Sequence, residues 1–212
     1  MRTFVVAAAL LSVASAVAAQ NPPGLNNHIG DWTIFDAPGA GPGGTVGVAI
    51  NDVGQIIGVF YDASGTQHGF VRSAEGVITT VDPGGSQLTF PEFINIWGVI
   101  VGEYIDAAGN THGFLRSSTG VITSFDEPNA GGSPLYTEGR AINDAGAVVG
   151  NYNDAAGNTH CFLRSPGGSW TTIDGPGADG FTTCGHINSA GELAGKFLDV
   201  KGVYPICQWH PD

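Results

Sequence analysis

Basic residues are scarce in this chain. Seven Lys and Arg stand against nineteen Asp and Glu among 212 residues, a formal net charge of −12. A surface so acidic repels phosphate backbones and anionic lipid headgroups, which sets aside nucleic-acid and membrane-surface roles. Charged residues of both signs make up only 12%, about half the usual share. No stretch keeps a helical period over three turns, so a helical fold is excluded. The phosphate cradle of a glycine loop opening a helix goes with it. The three cysteines, Cys161, Cys184 and Cys207, are evenly spaced and match no zinc pattern. Glycine is abundant instead, with 34 residues, and falls at fixed places rather than diffusely, which argues against disorder.

The one long apolar run lies at the start. Arg2 supplies a positive n-region, Phe4 to Ala14 an apolar core, and Ala16-Val17-Ala18 or Ala19 a small-residue cleavage site. Residues 1–19 are therefore expected to be a signal peptide, 20–31 a linker and 32–212 a repeat domain. The mature protein is expected to be secreted and extracellular, with no membrane insertion after cleavage. Without Arg2, six basic residues face nineteen acidic ones, a net charge of −13. In an exported chain, three cysteines imply one disulfide and one thiol left over.

A block of about 45 residues recurs four times. Gly58, Gly102, Gly150 and Gly195 each close an apolar run, and an asparagine lies seven residues before each: Asn51, Asn95, Asn143 and Asn188. Four residues after each glycine stands an aspartate (Asp62, Asp106, Asp154, Asp199), and seven after, another glycine. Turn residues at fixed offsets in a period near 45 mark a repeat architecture. Each block reads as four short strands, A to D. In the third they run Glu138 to Asn143, Ala147 to Asn153, Thr159 to Ser165 and Ser169 to Asp174, separated by turns such as Asn143-Asp144-Ala145-Gly146. Four antiparallel strands per 45 residues is the unit of a propeller blade.

The fourth block stops after strand C at Ile206-Cys207-Gln208-Trp209. The segment Gly30-Asp31-Trp32-Thr33-Ile34-Phe35-Asp36 matches the D strand Gly168-Ser169-Trp170-Thr171-Thr172-Ile173-Asp174 position for position. An N-terminal strand that completes the last blade leaves no open sheet edge. The expected fold is an all-β, four-bladed β-propeller closed by its own termini, as a monomer. A half-ring that dimerises to eight blades is the alternative. The closed fold favours pairing Cys161 with Cys184.

The stretch Asn51-Asp52-Val53-Gly54-Gln55-Ile56-Ile57-Gly58, followed by Asp62, Gly65 and His68-Gly69-Phe70, resembles the bacterial extracellular HAF repeat, named for a His-Ala-Phe tripeptide. Its counterparts are His112-Gly113-Phe114 and His160-Cys161-Phe162. The fourth block departs, with Pro205 and Cys207 in place of the histidine and phenylalanine and Trp209 in place of the arginine. The resemblance spans nearly all of residues 32 to 212. It implies an exported repeat protein and no particular reaction.

Each of His68, His112 and His160 lies four residues before Arg72, Arg116 or Arg164. With Asp62, Asp106 and Asp154 they are expected to form a structural His–Asp–Arg network, rebuilt in every complete blade. A metal site would need the histidines to converge, whereas equivalent positions on different blades diverge. An isolated Asp-x-x-Gly turn supplies too few oxygens for calcium, so no metal and no cofactor is expected. The D–A loops, Pro83 to Glu92, Glu127 to Arg140 and Gly175 to His186, vary between blocks and carry aromatic and polar residues together, as a binding face requires. The candidate ligand site is Phe90, Glu92, Tyr136, Glu138, Arg140, Phe181 and His186. These residues point to a binding or scaffolding module for a glycan or an extracellular protein. A carbohydrate-active hydrolase or lyase is the alternative, and a structural surface protein the second. No catalytic residue is assigned and enzymatic activity is left open, leaning against it.

Overall fold

The computed structural model describes residues 31–211. The expected signal peptide and the linker up to Gly30 lie outside them. Among the described residues there are fifteen strands and no helix, so no helix is long and apolar enough to cross a membrane. β1 (Thr45–Ile50), β2 (Ile56–Tyr61), β3 (Gln67–Arg72) and β4 (Ile78–Val81) form one antiparallel sheet in chain order. β5 (Ser86–Ile94), β6 (Ile100–Asp106), β7 (Thr111–Arg116) and β8 (Ile122–Phe125) form a second. The third sheet has seven strands. In it β9 (Thr137–Ile142), β10 (Val148–Asn153), β11 (Thr159–Arg164) and β12 (Trp170–Ile173) repeat the pattern. One parallel pair, Thr159 with Phe181, joins them to β13 (Ala178–Ile187), β14 (Leu193–Asp199) and β15 (Ile206–Trp209). These are four repeated units, the last with three strands.

The turns that the repeat implies are formed as its chemistry requires. The amide of Gly54, at φ 81°, donates to the Asn51 carbonyl, and the side-chain oxygen of Asn51 accepts from the Gln55 amide. The same asparagine also reaches outward. The Asn51 amide nitrogen donates to the Asn95 carbonyl at 2.9 Å, Asn95 to Asn143 at 3.2 Å and Asn143 to Asn188 at 3.1 Å. Asn51, Asn95 and Asn143 thus cap their own turns and strap each unit to the next, whereas the Asn188 amide bonds to Glu192 of its own turn. Asn95→Ala removes the strap to the Asn143 carbonyl, which keeps only the Gly146 amide, and takes the Asn95 side-chain oxygen from the Trp97 and Val99 amides. It is expected to lower stability by about 1–3 kcal/mol, read as a fall of roughly 5 °C in the melting midpoint by calorimetry.

The core lies between neighbouring sheets. Phe70, Phe114 and Phe162 are fully buried. Ile94 of unit 2 packs with Ile57, Val71 and Val81 of unit 1, and Ile142 of unit 3 packs with Val101 of unit 2. The first strand of every unit carries an irregularity opposite the β2-type glycine, leaving Val48, Glu92, Arg140 and Gly185 as the extra residues. Such bulges re-aim side chains.

The closed four-bladed ring does not form. No sheet is closed, and Asp31–Asp36 lies in no strand instead of pairing with β15. Phe35 packs edge-on against Phe70, with ring centroids 6.3 Å apart, under the Arg72 guanidinium at 4.7 Å. Val46, Val48 and Ile50 on β1 remain exposed. Two of the segments expected as D–A loops are largely strand, since β5 and β13 extend back through them, whereas β9 takes only the end of the segment Glu127 to Arg140. Cys161 and Cys184 are joined by a disulfide between β11 and β13, Cα atoms 5.4 Å apart, and Cys207 is a free thiol.

Candidate functional site

Two kinds of polar cluster occur, one repeated and one unique. In the repeated cluster each histidine is held between two aspartates. His68 Nδ1 stands 2.7 Å from Asp82 and its Nε2 3.4 Å from Asp62. His112 is likewise set between Asp126 and Asp106, and His160 between Asp174 and Asp154. The rings stack on Phe60, Tyr104 and Tyr152 at about 5 Å. The hydrogen bond to Asp82 raises His68. Burial alone would lower His112 and His160, but the paired aspartates outweigh it and raise both. The turn aspartates are held down at about 2, first by the Ser64 hydroxyl at Asp62 and by the side-chain amides of Asn110 and Asn158 at Asp106 and Asp154.

The arginines do not join these clusters. Four residues along a strand is roughly 13 Å, which puts Arg72, Arg116 and Arg164 at the opposite end of β3, β7 and β11. There Arg72 and Arg116 donate to the Ser73 and Ser117 carbonyls, and Arg164 lies over Phe125 and Trp170. The second aspartate of each pair, fourteen residues after its histidine, was legible as a recurrence at Asp82, Asp126 and Asp174. Among the described residues, no group of His, Cys, Asp and Glu is arranged to hold a metal ion.

The unique cluster joins units 2 and 3. The β5 bulge presents Glu92 and the β9 bulge Arg140, whose Nη1 is 3.1 Å from Glu92 Oε1 and 3.8 Å from Glu138 Oε2. The Tyr136 phenol lies near Glu138, and the Asn151 side-chain amide donates to Glu138 Oε1 at 2.6 Å. Glu103 on β6, directly across from Phe90, completes the group. Burial pushes the Glu103 carboxyl up to about 9, helped by the nearby charges of Glu92 and Glu138. Burial likewise raises Glu92, against the pull of Arg140, and raises the Tyr136 phenol. Burial works against the Arg140 cation, yet the three glutamates hold its pKa above the ordinary value. Glu103 is thus a neutral acid at pH 7, and its Oε2 is buried with no hydrogen-bond partner in the protein.

Of the ligand site expected from sequence, Phe90, Glu92, Tyr136, Glu138 and Arg140 come together. Phe181 and His186 do not. Phe181 packs edge-on against Tyr204 and lines a separate cavity of about 350 Å³ with His160 and Asp174. His186 is exposed on β13, beside Asn188 and Glu192. Sequence reasoning missed Glu103 and Asn151. They occupy one repeat position, one residue after Gly102 and Gly150, where units 1 and 4 carry Val59 and Lys196. A polar residue at a position the repeat leaves free was the available signal.

No known family profile matches the chain, and no curated protein matches it. Solved structures do. A catalytically inactive variant of virginiamycin B lyase from Staphylococcus aureus with quinupristin is 14% identical over 84% of this chain and 59% of its own, at a TM-score of 0.47. A streptogramin B lyase is 16% identical over 78% and 53%, at 0.43. A triple-arginine mutant of AofleA from Arthrobotrys oligospora is 15% identical over 78% and 56%, at 0.42. The chain spans between a half and three fifths of the length of these proteins.

Proposed function

We propose that this is an exported, extracellular protein of the HAF-repeat kind, in which four propeller blades frame a binding site for a glycan at Glu92, Glu103, Tyr136, Glu138 and Arg140. The observation that carries the reading is the cluster's independence from the repeat. Units 1 and 4 fold with Val48 and Gly185 where Glu92 and Arg140 stand, and with Val59 and Lys196 where Glu103 and Asn151 stand. The fold therefore does not require this concentration of carboxyl, guanidinium, phenol and amide groups. A sugar offers hydroxyls that donate and accept together, which suits such a mixed set, and one of them can satisfy the unpartnered Glu103 oxygen. The acidic surface favours neutral or cationic glycans over polyanions.

Calorimetric titration with neutral and amino-sugar oligosaccharides tests this. Glu138→Ala and Tyr136→Ala are expected to weaken binding tenfold or more, at least about 1.4 kcal/mol, with the melting curve retained. Unchanged binding in both variants, or no binding across the panel, removes the glycan site.

A second reading rests on Glu103 itself. A carboxylic acid whose burial keeps it neutral, close to other carboxyl groups, is how acid and base roles are divided in many hydrolases and lyases. Turnover of a bound oligosaccharide that vanishes in Glu103→Gln, with binding retained, selects it; binding without turnover leaves the module reading.

A further inference from the structure

We infer that Asn151 is the residue that positions Glu138 in the candidate site, and that the Cys161–Cys184 disulfide holds Asn151 in place for it. The inference rests on the reading of Glu92, Glu103, Tyr136, Glu138 and Arg140 as a binding site, and adds how unit 4 orients it.

Asn151 lies on β10, 3% exposed, with both polar atoms of its side chain in use. Its Oδ1 accepts from the Cys184 amide at 2.8 Å, and its Nδ2 donates to the Cys184 carbonyl at 3.3 Å. The same nitrogen donates to Glu138 Oε1 at 2.6 Å. A primary amide is planar and carries two N–H bonds. Once the Cys184 peptide takes the oxygen and one N–H, the direction of the other is set, and it meets Glu138. Glu138 keeps Oε2 for Arg140, 3.8 Å away, and for a ligand.

The clasp has a covalent anchor. Cys161 faces Asn151 directly across the β10–β11 ladder, and its sulfur is bonded to Cys184 on β13. Cys184 stands at the β13 irregularity, where the ladder to β14 is locally disrupted. The three residues therefore close a triangle, with Asn151 paired to Cys161, Cys161 bonded to Cys184, and Cys184 clasped by Asn151. Between units 1 and 2, Val59 and Pro91 take the places of Asn151 and Cys184. A proline has no amide hydrogen to give, and the valine asks for none. Between units 2 and 3 the places fall to Glu103 and Gly139, with Gly113 where Cys161 stands, and Glu103 Oε2 has no partner. A polar side chain at this position is fully held where the disulfide is, and left with an unpartnered oxygen where it is not. Neither cysteine belongs to the site, so the disulfide acts on it through Asn151. A carboxylate supported in this way is already oriented when a ligand arrives.

Two variants separate the parts. Asn151→Ala removes the arm and keeps the disulfide, whereas Cys161→Ala with Cys184→Ala removes the disulfide and keeps the arm. Calorimetric titration with glucosamine and N-acetylglucosamine oligosaccharides is expected to show about tenfold weaker binding in each. Combining them should cost no more than Asn151→Ala alone, because the two lie on one path. Without any ligand, the Asn151 side-chain protons, followed by heteronuclear NMR, are expected to exchange slowly with solvent in the unmodified protein. In the cysteine-to-alanine pair they should exchange about tenfold faster or more. The inference is overturned by losses of affinity that add, by unchanged affinity in Asn151→Ala, or by equal proton protection with and without the disulfide. Fast exchange in the unmodified protein overturns it with no variant at all. Failure of every oligosaccharide to bind removes the glycan reading alone, since proton exchange decides the positioning without a ligand.

Discussion

Replacing Gly150 with alanine is expected to leave the protein unfolded or nearly so, whereas the same change at Gly157 costs little. Gly150 lies in β10 where the bulge of β9 brings the Glu138 carbonyl oxygen against its Cα from one side and the Phe162 ring from the other. A methyl group there meets both. One obstacle is backbone locked in a ladder, and the other is a side chain with no exposed surface, so neither can give way cheaply. Gly58 and Gly102 face the same pair of obstacles, the Val46 carbonyl with Phe70 and the Phe90 carbonyl with Phe114. The expected loss is about 4 kcal/mol or more, in the range reached when a core is overpacked and its ladder broken together. That is a large fraction of the stability of an ordinary domain. Gly157 sits at φ 87° with nothing near its missing side chain, so alanine there meets only the left-handed backbone penalty of roughly 1–2 kcal/mol. Circular dichroism melts of the two variants decide the matter; midpoints within a few degrees of each other would refute the crowding argument.

Glu103→Gln is expected to stabilise the protein at alkaline pH and to flatten its pH profile. The folded carboxyl holds its proton up to about 9, while the unfolded one releases it near the ordinary value of 4.5. The contribution of this group is therefore fully present below about 4.5, and it is lost progressively as pH rises through 9. His68, His112 and His160 act in the same direction, because their raised values make them bind protons more tightly when folded. Their contribution is present below about 6.5 and disappears as pH climbs past the folded values. The melting midpoint should fall from pH 5 to pH 9. At about 1.4 kcal/mol per pH unit, the displacement of Glu103 sets a ceiling on the order of 6 kcal/mol. Relief of even a third of that should raise the midpoint of the glutamine variant by about 5 °C at pH 9, with almost no change at pH 5. Parallel pH profiles for the two proteins would mean that Glu103 ionises normally. The low values of Asp62, Asp106 and Asp154 work at the other extreme, where their contribution is lost only as pH falls through about 2.

Strands and turns were legible because they recur. The strands expected in the third block, Glu138 to Asn143, Ala147 to Asn153, Thr159 to Ser165 and Ser169 to Asp174, agree with β9 to β12 within about a residue at each end. The bulges were not legible. A bulge is two residues facing one across a ladder, and no residue type announces it: Val48, Glu92, Arg140 and Gly185 share the position and nothing else. Glu92 and Arg140 read as loop residues for that reason, and their mutual approach came only with the strands that aim them. The arginine network failed on distance, since sharing a face of a strand does not bring residues four apart into contact. Ring closure was not met because matching a segment to a strand of the repeat identifies the strand it resembles, not the sheet it will pair with.

The asparagine strap gives the arc a polarity. Between units the strap runs one way, from the Asn51, Asn95 and Asn143 side-chain amides to the carbonyl of the next first-turn asparagine, so a unit gained or lost within the arc can keep the same strap at the new junction. Length can then drift by whole units while the chemistry of joining stays constant. Mixed-charge sites such as the one between units 2 and 3 are free to arise wherever two bulges happen to face each other.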